Sequence, residues 1–81
     1  MRIREVLALN LRKQRRLQKL SQEELAHRAA VDRTYISALE RCVYAASVDI
    51  VERLADVLGV EAAELLRRPA PAAGAARRSR R

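Results

Sequence analysis

Apolar residues recur at intervals of three and four along residues 1–68 of the 81-residue chain, which is typical of helices that bury one face. In the first segment, through Gln18, the predicted inner face holds Ile3, Val6, Leu7, Asn10, Leu11 and Gln14. The same spacing predicts four further helices, over Gln22 to Ala29, Asp32 to Arg41, Ser47 to Gly59 and about Ala62 to Arg68. The chain has no Phe or Trp, so its core must be built from aliphatic side chains. We therefore predict a compact all-α domain of five helices.

Residues that favour helix ends support these boundaries. Ser21 and Glu24 have the spacing of a capping box, in which the hydroxyl accepts from the Glu24 amide and the carboxylate accepts from the Ser21 amide. Asp32 and Ser47 are good N-caps, and Gly59 suits a left-handed helix end. The sequence therefore predicts where the second, third and fourth helices begin.

Basic residues are concentrated at the two ends of the chain. Residues 1–20 carry a net charge of +6, residues 21–68 one of −3 and residues 69–81 one of +4. Such an excess favours a polyanion, either nucleic acid or an anionic membrane face, although a solvated surface alone also explains it. The last segment is rich in Pro and Ala and lacks large apolar residues. We expect a domain over residues 1–68 and a disordered basic tail over residues 69–81.

Composition also limits the compartment and the chemistry. No apolar run reaches the roughly 20 residues that span a bilayer, so we expect a soluble cytoplasmic protein with no membrane partner. Cys42 is the only cysteine, which excludes an internal disulfide. Cys42 and the single histidine, His27, cannot form a catalytic triad with any placed acid or a metal cluster, and no Gly-rich loop could hold phosphate. We predict no enzyme activity, no cofactor, no metal and no small-molecule ligand.

The stretch from Ser21 to Arg41 pairs two short helices through Ala30-Val31-Asp32. Ala26 is small where the helices must cross, and Val31, Ile36 and Leu39 can fix the second helix at a steep angle to the first. The outer face of that helix is then expected to hold Arg33, Thr34, Ser37 and Ala38. A helix presented in this way can enter the DNA major groove, where its N-terminal residues reach base edges.

These residues resemble the helix-turn-helix of the Cro/phage-repressor (XRE-like) family of transcriptional regulators. The similarity runs from about Leu11 to Leu66 and rests on the ordered set "LSQEELA", "DRTYISALER", "LADVLGV" and "ELL". "DRTYIS" with the following "LER" is especially similar to the restriction–modification controller proteins, a dimeric branch. The resemblance implies a lambda-repressor-like domain that binds a palindromic double-stranded DNA operator as a homodimer.

The resemblance also implies roles for individual residues. Arg33 and Thr34 match base-reading positions, and Ser37 and Ala38 match later positions on the reading face. Gln22 matches a position that contacts phosphate or a base at the edge of the half-site. The complete set of implied DNA-binding residues is Gln22, Arg33, Thr34, Tyr35, Ser37, Ala38 and Arg41, among which Tyr35 matches a phosphate-contacting position.

Two further pairs have structural roles in the family. Arg15 and Glu40 match an ion pair that ties the first helix to the third. Leu65 and Leu66, with the end of the fourth helix, match the dimer interface of the controller branch.

The chain departs from the family pattern in its turns. The family usually has Gly at the positions of Lys19, Ala30 and Cys42, and Pro at the position of Ala46. In the family, the loop from Cys42 to Ala46 often contacts phosphate. Without these Gly and Pro residues, the sequence does not predict whether it does so here. Small proteins of this fold also serve as antitoxins, whose principal partner is a toxin and which bind DNA secondarily, so this alternative remains.

Overall fold

The structure is a computed structural model that describes residues 1–69. In this part, the chain forms five α-helices and no strand, which confirms the predicted all-α class. The helices are α1 (Ile3–Leu17), α2 (Gln22–Ala29), α3 (Arg33–Glu40), α4 (Val48–Leu58) and α5 (Ala62–Leu65). The predicted tail, apart from Pro69, lies outside the described residues. No helix within residues 1–69 is long and apolar enough to cross a membrane.

The core is aliphatic and receives side chains from all five helices. Its fully buried members include Leu11 of α1, Leu25 of α2, Ile36 of α3, Leu54 of α4 and Leu65 of α5. Burying such side chains is the main favourable contribution to the stability of a domain this small.

The face of α1 differs from the predicted one at its start. Ile3 was expected to face inward, but it is 48% exposed and lines an open groove instead. Ala8, which the spacing did not single out, is buried. Asn10 is half-buried as predicted, but it forms hydrogen bonds there that the apolar pattern did not reveal.

Two amide side chains, one in α1 and one directly after it, bind backbone carbonyls at the ends of the last two helices. Gln18 Nε2 donates to the Leu58 carbonyl at 2.5 Å. Asn10 Nδ2 lies 3.3, 3.0 and 2.8 Å from the carbonyl oxygens of Glu64, Leu65 and Arg67. Carbonyls at helix C-termini have no partner within their own helix, so these amides supply one.

The fifth helix is shorter than predicted, ending at Leu65 rather than near Arg68. The amides of Leu66 and Arg67 bond three residues back, at 3.1 and 3.4 Å, which tightens the last turn. Pro69 has no N–H to donate to the Leu65 carbonyl, so the α-helical pattern cannot continue. Asn10 takes this carbonyl instead.

The predicted N-caps form, with one difference. The hydroxyl oxygens of Ser21 and Ser47 accept from the third amide beyond them at 2.9 and 3.1 Å, and the Asp32 carboxylate accepts from the Thr34 amide at 2.8 Å. The capping box is only half formed, because the Glu24 carboxylate binds Arg28 Nε at 2.7 Å rather than the Ser21 amide.

Four helix ends adopt the left-handed conformation, and only one of them uses glycine. Lys19, Ala30 and Cys42 have φ angles of 59°, 59° and 63°, and Gly59 has 70°. The positions where the family usually has Gly therefore keep the backbone that glycine favours, although they carry side chains here.

Candidate nucleic-acid interface

The turn between α2 and α3 sets the angle at which α3 is presented. The Val31 amide donates to the Ala26 carbonyl at 2.9 Å, which closes α2. Ala26 is 2% exposed, and Ile36 and Leu39 pack into the same core. The inner face of α3 is thus fixed by packing, as predicted, and its opposite face is left to solvent.

The exposed face of α3 carries three of the four residues predicted for it. Arg33 and Thr34 are exposed in its first turn, and Ser37 is partly exposed one turn later. Arg41, just beyond the helix, is exposed, and its Nε lies 3.3 Å from Ser37 Oγ. These four residues, Arg33, Thr34, Ser37 and Arg41, are called the reading face below.

Thr34 is held at the start of this face by Asp32. Both the hydroxyl and the amide of Thr34 donate to the Asp32 carboxylate, and these bonds, the hydroxyl's first, lower the pKa of Asp32. The Thr34 hydroxyl has therefore used its only hydrogen. Its lone pairs and methyl group remain for a base.

The prediction that Ala38 lies on the outer face is wrong, since this residue is 5% exposed. Ala38 lies one turn after the exposed Thr34, so its position on α3 alone does not account for its burial. The chain after α3 folds back at this point, because the Val43 amide donates to the Ala38 carbonyl at 2.9 Å. Ala38 is therefore not part of the reading face.

Two tyrosines pack together where α3 meets the following loop. The rings of Tyr35 and Tyr44 have centroids 6.1 Å apart and are tilted by 41°. Tyr35 is half-buried against the core, whereas Tyr44 is 54% exposed. The phenol of Tyr44 thus stands beside α3, in the loop for which the sequence left phosphate contacts open.

Arg15 and Glu40 form the predicted ion pair. Arg15 Nε lies 2.7 Å from Glu40 Oε2 and Nη2 lies 3.0 Å from Oε1, a two-pronged arrangement. The Arg15 Nη1 group also donates to the Leu20 carbonyl at 2.8 Å, and Arg12 Nη1 donates to the Glu40 carbonyl at 3.2 Å. The pair ties α1 to α3, and its side chains are 11% and 3% exposed.

The pKa values of this pair follow from burial and bonding. Burial, the largest single influence, raises the pKa of Glu40. The hydrogen bonds from Arg15 and Gln22 and the charges of Arg15 and Arg12 together outweigh it, so the pKa lies below its ordinary value. The bond to Glu40 raises the pKa of Arg15. The pair is therefore ionised at neutral pH.

Gln22 is also bound to this pair, which the sequence did not reveal. Its Nε2 group donates to Glu40 Oε1 at 3.0 Å. Gln22 begins α2, and Glu40 ends α3. The predicted DNA-contacting glutamine is therefore bonded to the last residue of α3.

The predicted dimer residues have different environments. Leu65 is fully buried in its own core, so its prediction as an interface side chain is wrong. Leu66 is 39% exposed and lines an apolar groove of about 500 Å³. Ile3 and Val48, which are 48% and 84% exposed, line the same groove. The groove lies between the starts of α1 and α4 and the short helix α5.

Cys42 and His27 are not part of a metal-binding cluster in the described part of the chain. Cys42 Sγ lies 4.0 Å from the Arg4 carbonyl, and His27 is exposed on α2. Among residues 1–69, no cluster of His, Cys, Asp or Glu could hold a metal ion.

The amide contacts of Asn10 and Gln18 are the main structural features that the sequence analysis missed. Asn10 carried a signal, because a polar residue on an otherwise apolar helix face needs a buried partner. The identity of that partner depends on the path of α5, which the periodicity alone does not give.

Two short helices joined by a tight turn, with an exposed face on the second, have the geometry of a helix-turn-helix DNA-binding protein. The chain belongs to the HTH_3 helix-turn-helix family, whose model matches residues 11–65. The resemblance seen in the sequence is thereby confirmed. The family is one of transcription regulators, which are not enzymes.

Named relatives agree with this assignment. A hypothetical transcription factor of Neisseria meningitidis serogroup B is 45% identical over 67 residues, which are 83% of this chain and 63% of that protein. The chain therefore spans less than two thirds of that relative. Control protein C.SmaI of Serratia marcescens is 38% identical over 84% of this chain and 81% of its own length. These relatives give no support to the antitoxin alternative.

Solved structures share the fold. The crystal structure of the Neisseria transcription factor NHTF superposes with a TM-score of 0.82 at 44% identity, covering 84% of this chain and 78% of that one. The controller protein C.Esp1396I in a nucleoprotein complex superposes with a TM-score of 0.70 at 25% identity, covering 83% of this chain and 97% of that one.

Proposed function

We propose that the protein is a sequence-specific regulator that inserts α3 into the major groove of a palindromic operator as a homodimer. The reading face supports this most directly, because Arg33, Thr34 and Ser37 face solvent while the opposite side of α3 is fixed in the core. The nucleoprotein complex of C.Esp1396I adds support from a relative. A regulator of this kind acts in the cytoplasm, where bacterial DNA lies.

Arg33 is the proposed base-reading residue. Its guanidinium can bind the O6 and N7 atoms of guanine with two hydrogen bonds. Thr34 and Ser37 read neighbouring positions, while Arg41 of the same face contacts phosphate. Gln22 and Tyr35 contact phosphate as well. Phosphate contacts position the helix, and base contacts give the specificity.

Selection of bound duplexes from a random pool tests the reading face. We expect an inverted repeat with half-sites about one helical turn apart. Changing Arg33→Ala should weaken binding to that site by about 1–3 kcal/mol and relax one base position in each half-site. Lys13→Ala, a change to an exposed cation outside the reading face, is the control and should weaken all sequences alike. An equal loss on all sequences for Arg33→Ala would make Arg33 a phosphate contact.

The apolar groove is the proposed dimer interface, with Leu66, Ile3 and Val48 at its centre. Arg4 and Glu52 also line it, and neither forms an ion pair with another residue of the described part. In a two-fold interface each contact occurs twice, so Arg4 of one copy can pair with Glu52 of the second. This charge complementarity favours a second copy as the occupant.

Sedimentation at micromolar concentration tests this interface. The unaltered protein should be a dimer, Arg4→Glu should shift it toward monomer, and adding Glu52→Arg should restore the dimer. A strict monomer, with DNA or without it, would remove the two-fold operator. A dimer that ignores both changes would place the interface elsewhere.

We also propose that residues 1–68 form the whole DNA-reading domain. The basic segment after Pro69 adds four arginines, whose charge attracts phosphate whatever the base sequence. A chain that ends at Pro69 should keep its preferred site and show a weaker dependence of binding on salt. A changed site preference would show that the segment reads bases.

A further inference from the structure

Glu40 is a buried carboxylate on which donors from two other helices meet. Arg15 of α1 binds both of its oxygens at 2.7 and 3.0 Å. Gln22 of α2 donates to Oε1 at 3.0 Å. The Glu40 side chain is 3% exposed, so these protein groups replace nearly all of its water. One group in α3 therefore joins the first three helices.

The bond to Glu40 restricts the Gln22 side chain. A glutamine side chain has several rotatable bonds, and ordering them on binding costs conformational entropy. The bond uses one N–H of the Gln22 amide and leaves the second N–H and the carbonyl oxygen. Gln22 is only half-buried, so part of this residue remains exposed to solvent.

The location of this amide is the second observation. Glu40 is followed by Arg41, which is exposed and contacts Ser37 on the reading face. The Gln22 amide is thus bonded to the residue that directly precedes Arg41 in the chain. Arg15 neutralises Glu40 there, and without it the carboxylate would repel a nearby phosphate.

We infer that Glu40 is a positioning residue for DNA binding, which holds the Gln22 amide so that its free N–H donates to a backbone phosphate. This inference rests on the proposed function. It extends the role of Glu40 from joining helices to preparing a contact before DNA arrives. Gln22 makes the contact, and Glu40 acts only through Gln22.

Comparing the effect of Gln22→Ala in two backgrounds tests the inference. In the unaltered protein the change should weaken binding to the selected duplex about tenfold, because a hydrogen bond to a charged group is lost. The second background is Arg15→Met with Glu40→Met, which replaces the ion pair by apolar side chains without leaving an unpaired charge. There, Gln22→Ala should weaken binding by less than about threefold, because the amide is no longer held.

Gln18→Ala is the matched control. It also removes a side-chain amide, which in this case binds the backbone carbonyl of Leu58. It should leave DNA affinity within about twofold while lowering thermal stability. An equal loss for Gln22→Ala in both backgrounds, or no loss in the unaltered protein, would overturn the inference. Failure of the proposed function is distinguishable, because the unaltered protein would then select no duplex.

NMR of the free protein tests the same point without DNA, and it applies even if the methionine variant does not fold. The Gln22 side-chain amide should have a high order parameter in the unaltered protein and a lower one after Glu40→Gln. A value below about 0.6 in the unaltered protein would show a mobile side chain and overturn the inference.

Discussion

The helix-turn-helix half of the molecule, which here means α1 to α3, is compared with the α4–α5 half. Helices in both halves end in the same conformation, but with different residues. Lys19, Ala30 and Cys42 are left-handed residues with side chains in the first half, and Gly59 is left-handed in the second. Each is followed by an amide that donates to the carbonyl five residues earlier, at 2.9 or 3.0 Å: Leu20 to Arg15, Val31 to Ala26, Val43 to Ala38 and Val60 to Ala55. The hydrogen bonding is therefore the same in both halves.

The two halves differ in the conformational free energy that their turns cost. A residue with a side chain costs about 1–2 kcal/mol in the left-handed conformation, and glycine avoids most of this. The helix-turn-helix half carries that cost at three positions, and it is held by the charged contacts around Glu40. The α4–α5 half is held to α1 by the neutral amides of Asn10 and Gln18. Strained turns thus coincide with the stronger polar contacts.

Removing the charged contact should have the largest effect. Arg15→Ala leaves Glu40 buried without its main partner and should lower the free energy of unfolding by about 3 kcal/mol, measured by denaturant titration. Arg28→Ala, which removes an exposed pair with Glu24, is the control and should change it by less than about 1 kcal/mol. Similar losses for both would show that the helix-turn-helix half does not depend on Glu40.

Acid should reveal the same contact. The folded-state pKa of Glu40 is lowered, so its contribution to stability is complete above its unfolded value and is lost as pH falls through the folded value. Stability measured from neutral pH down through the carboxylate range should therefore fall less steeply in Glu40→Gln than in the unaltered protein. Identical slopes would contradict the lowered pKa.

The neutral contact should matter less. Asn10→Ala leaves the carbonyls at the end of α5 without their side-chain donor and should lower the free energy of unfolding by about 1–2 kcal/mol. Amide hydrogen exchange should accelerate first in α5. Gln14→Ala, on the same helix, is the control, and an equal loss there would mean that Asn10 acts only through packing.

Exchanging the turn residues should have the smallest effects, of opposite sign. Ala30→Gly should raise the free energy of unfolding by about 0.5–1 kcal/mol, because glycine relieves the left-handed strain but adds freedom to the unfolded chain. Gly59→Ala should lower it by about 1 kcal/mol, since an added Cβ meets no atom within 4 Å and only the backbone is strained. Thermal unfolding measures both, and a change of the same sign would refute the comparison.

Sequence periodicity predicted five helices, and the capping residues Ser21, Asp32 and Ser47 predicted where the middle three begin. These local patterns did not predict features that depend on contacts between distant parts of the chain. The carbonyls at the end of α5 are bound by Asn10 from a distant helix, and the burial of Ala38 depends on the loop that follows α3. The Arg15–Glu40 pair was predicted from the family resemblance, because its partners are 25 residues apart and no local pattern joins them. For the same reason, the bond from Gln22 to Glu40 could not be predicted from the sequence and is seen only in the structure.

The packing of Tyr35 against Tyr44 has an optical consequence. The chain has no Trp or Phe, and these are its only two tyrosines. All of its aromatic absorbance and emission therefore originates at one corner, where α3 meets its loop, with ring centroids 6.1 Å apart. After correction for absorption by the DNA itself, a change in tyrosine fluorescence on mixing with DNA reports on that corner. The protein carries its own probe beside the reading face and needs no added dye.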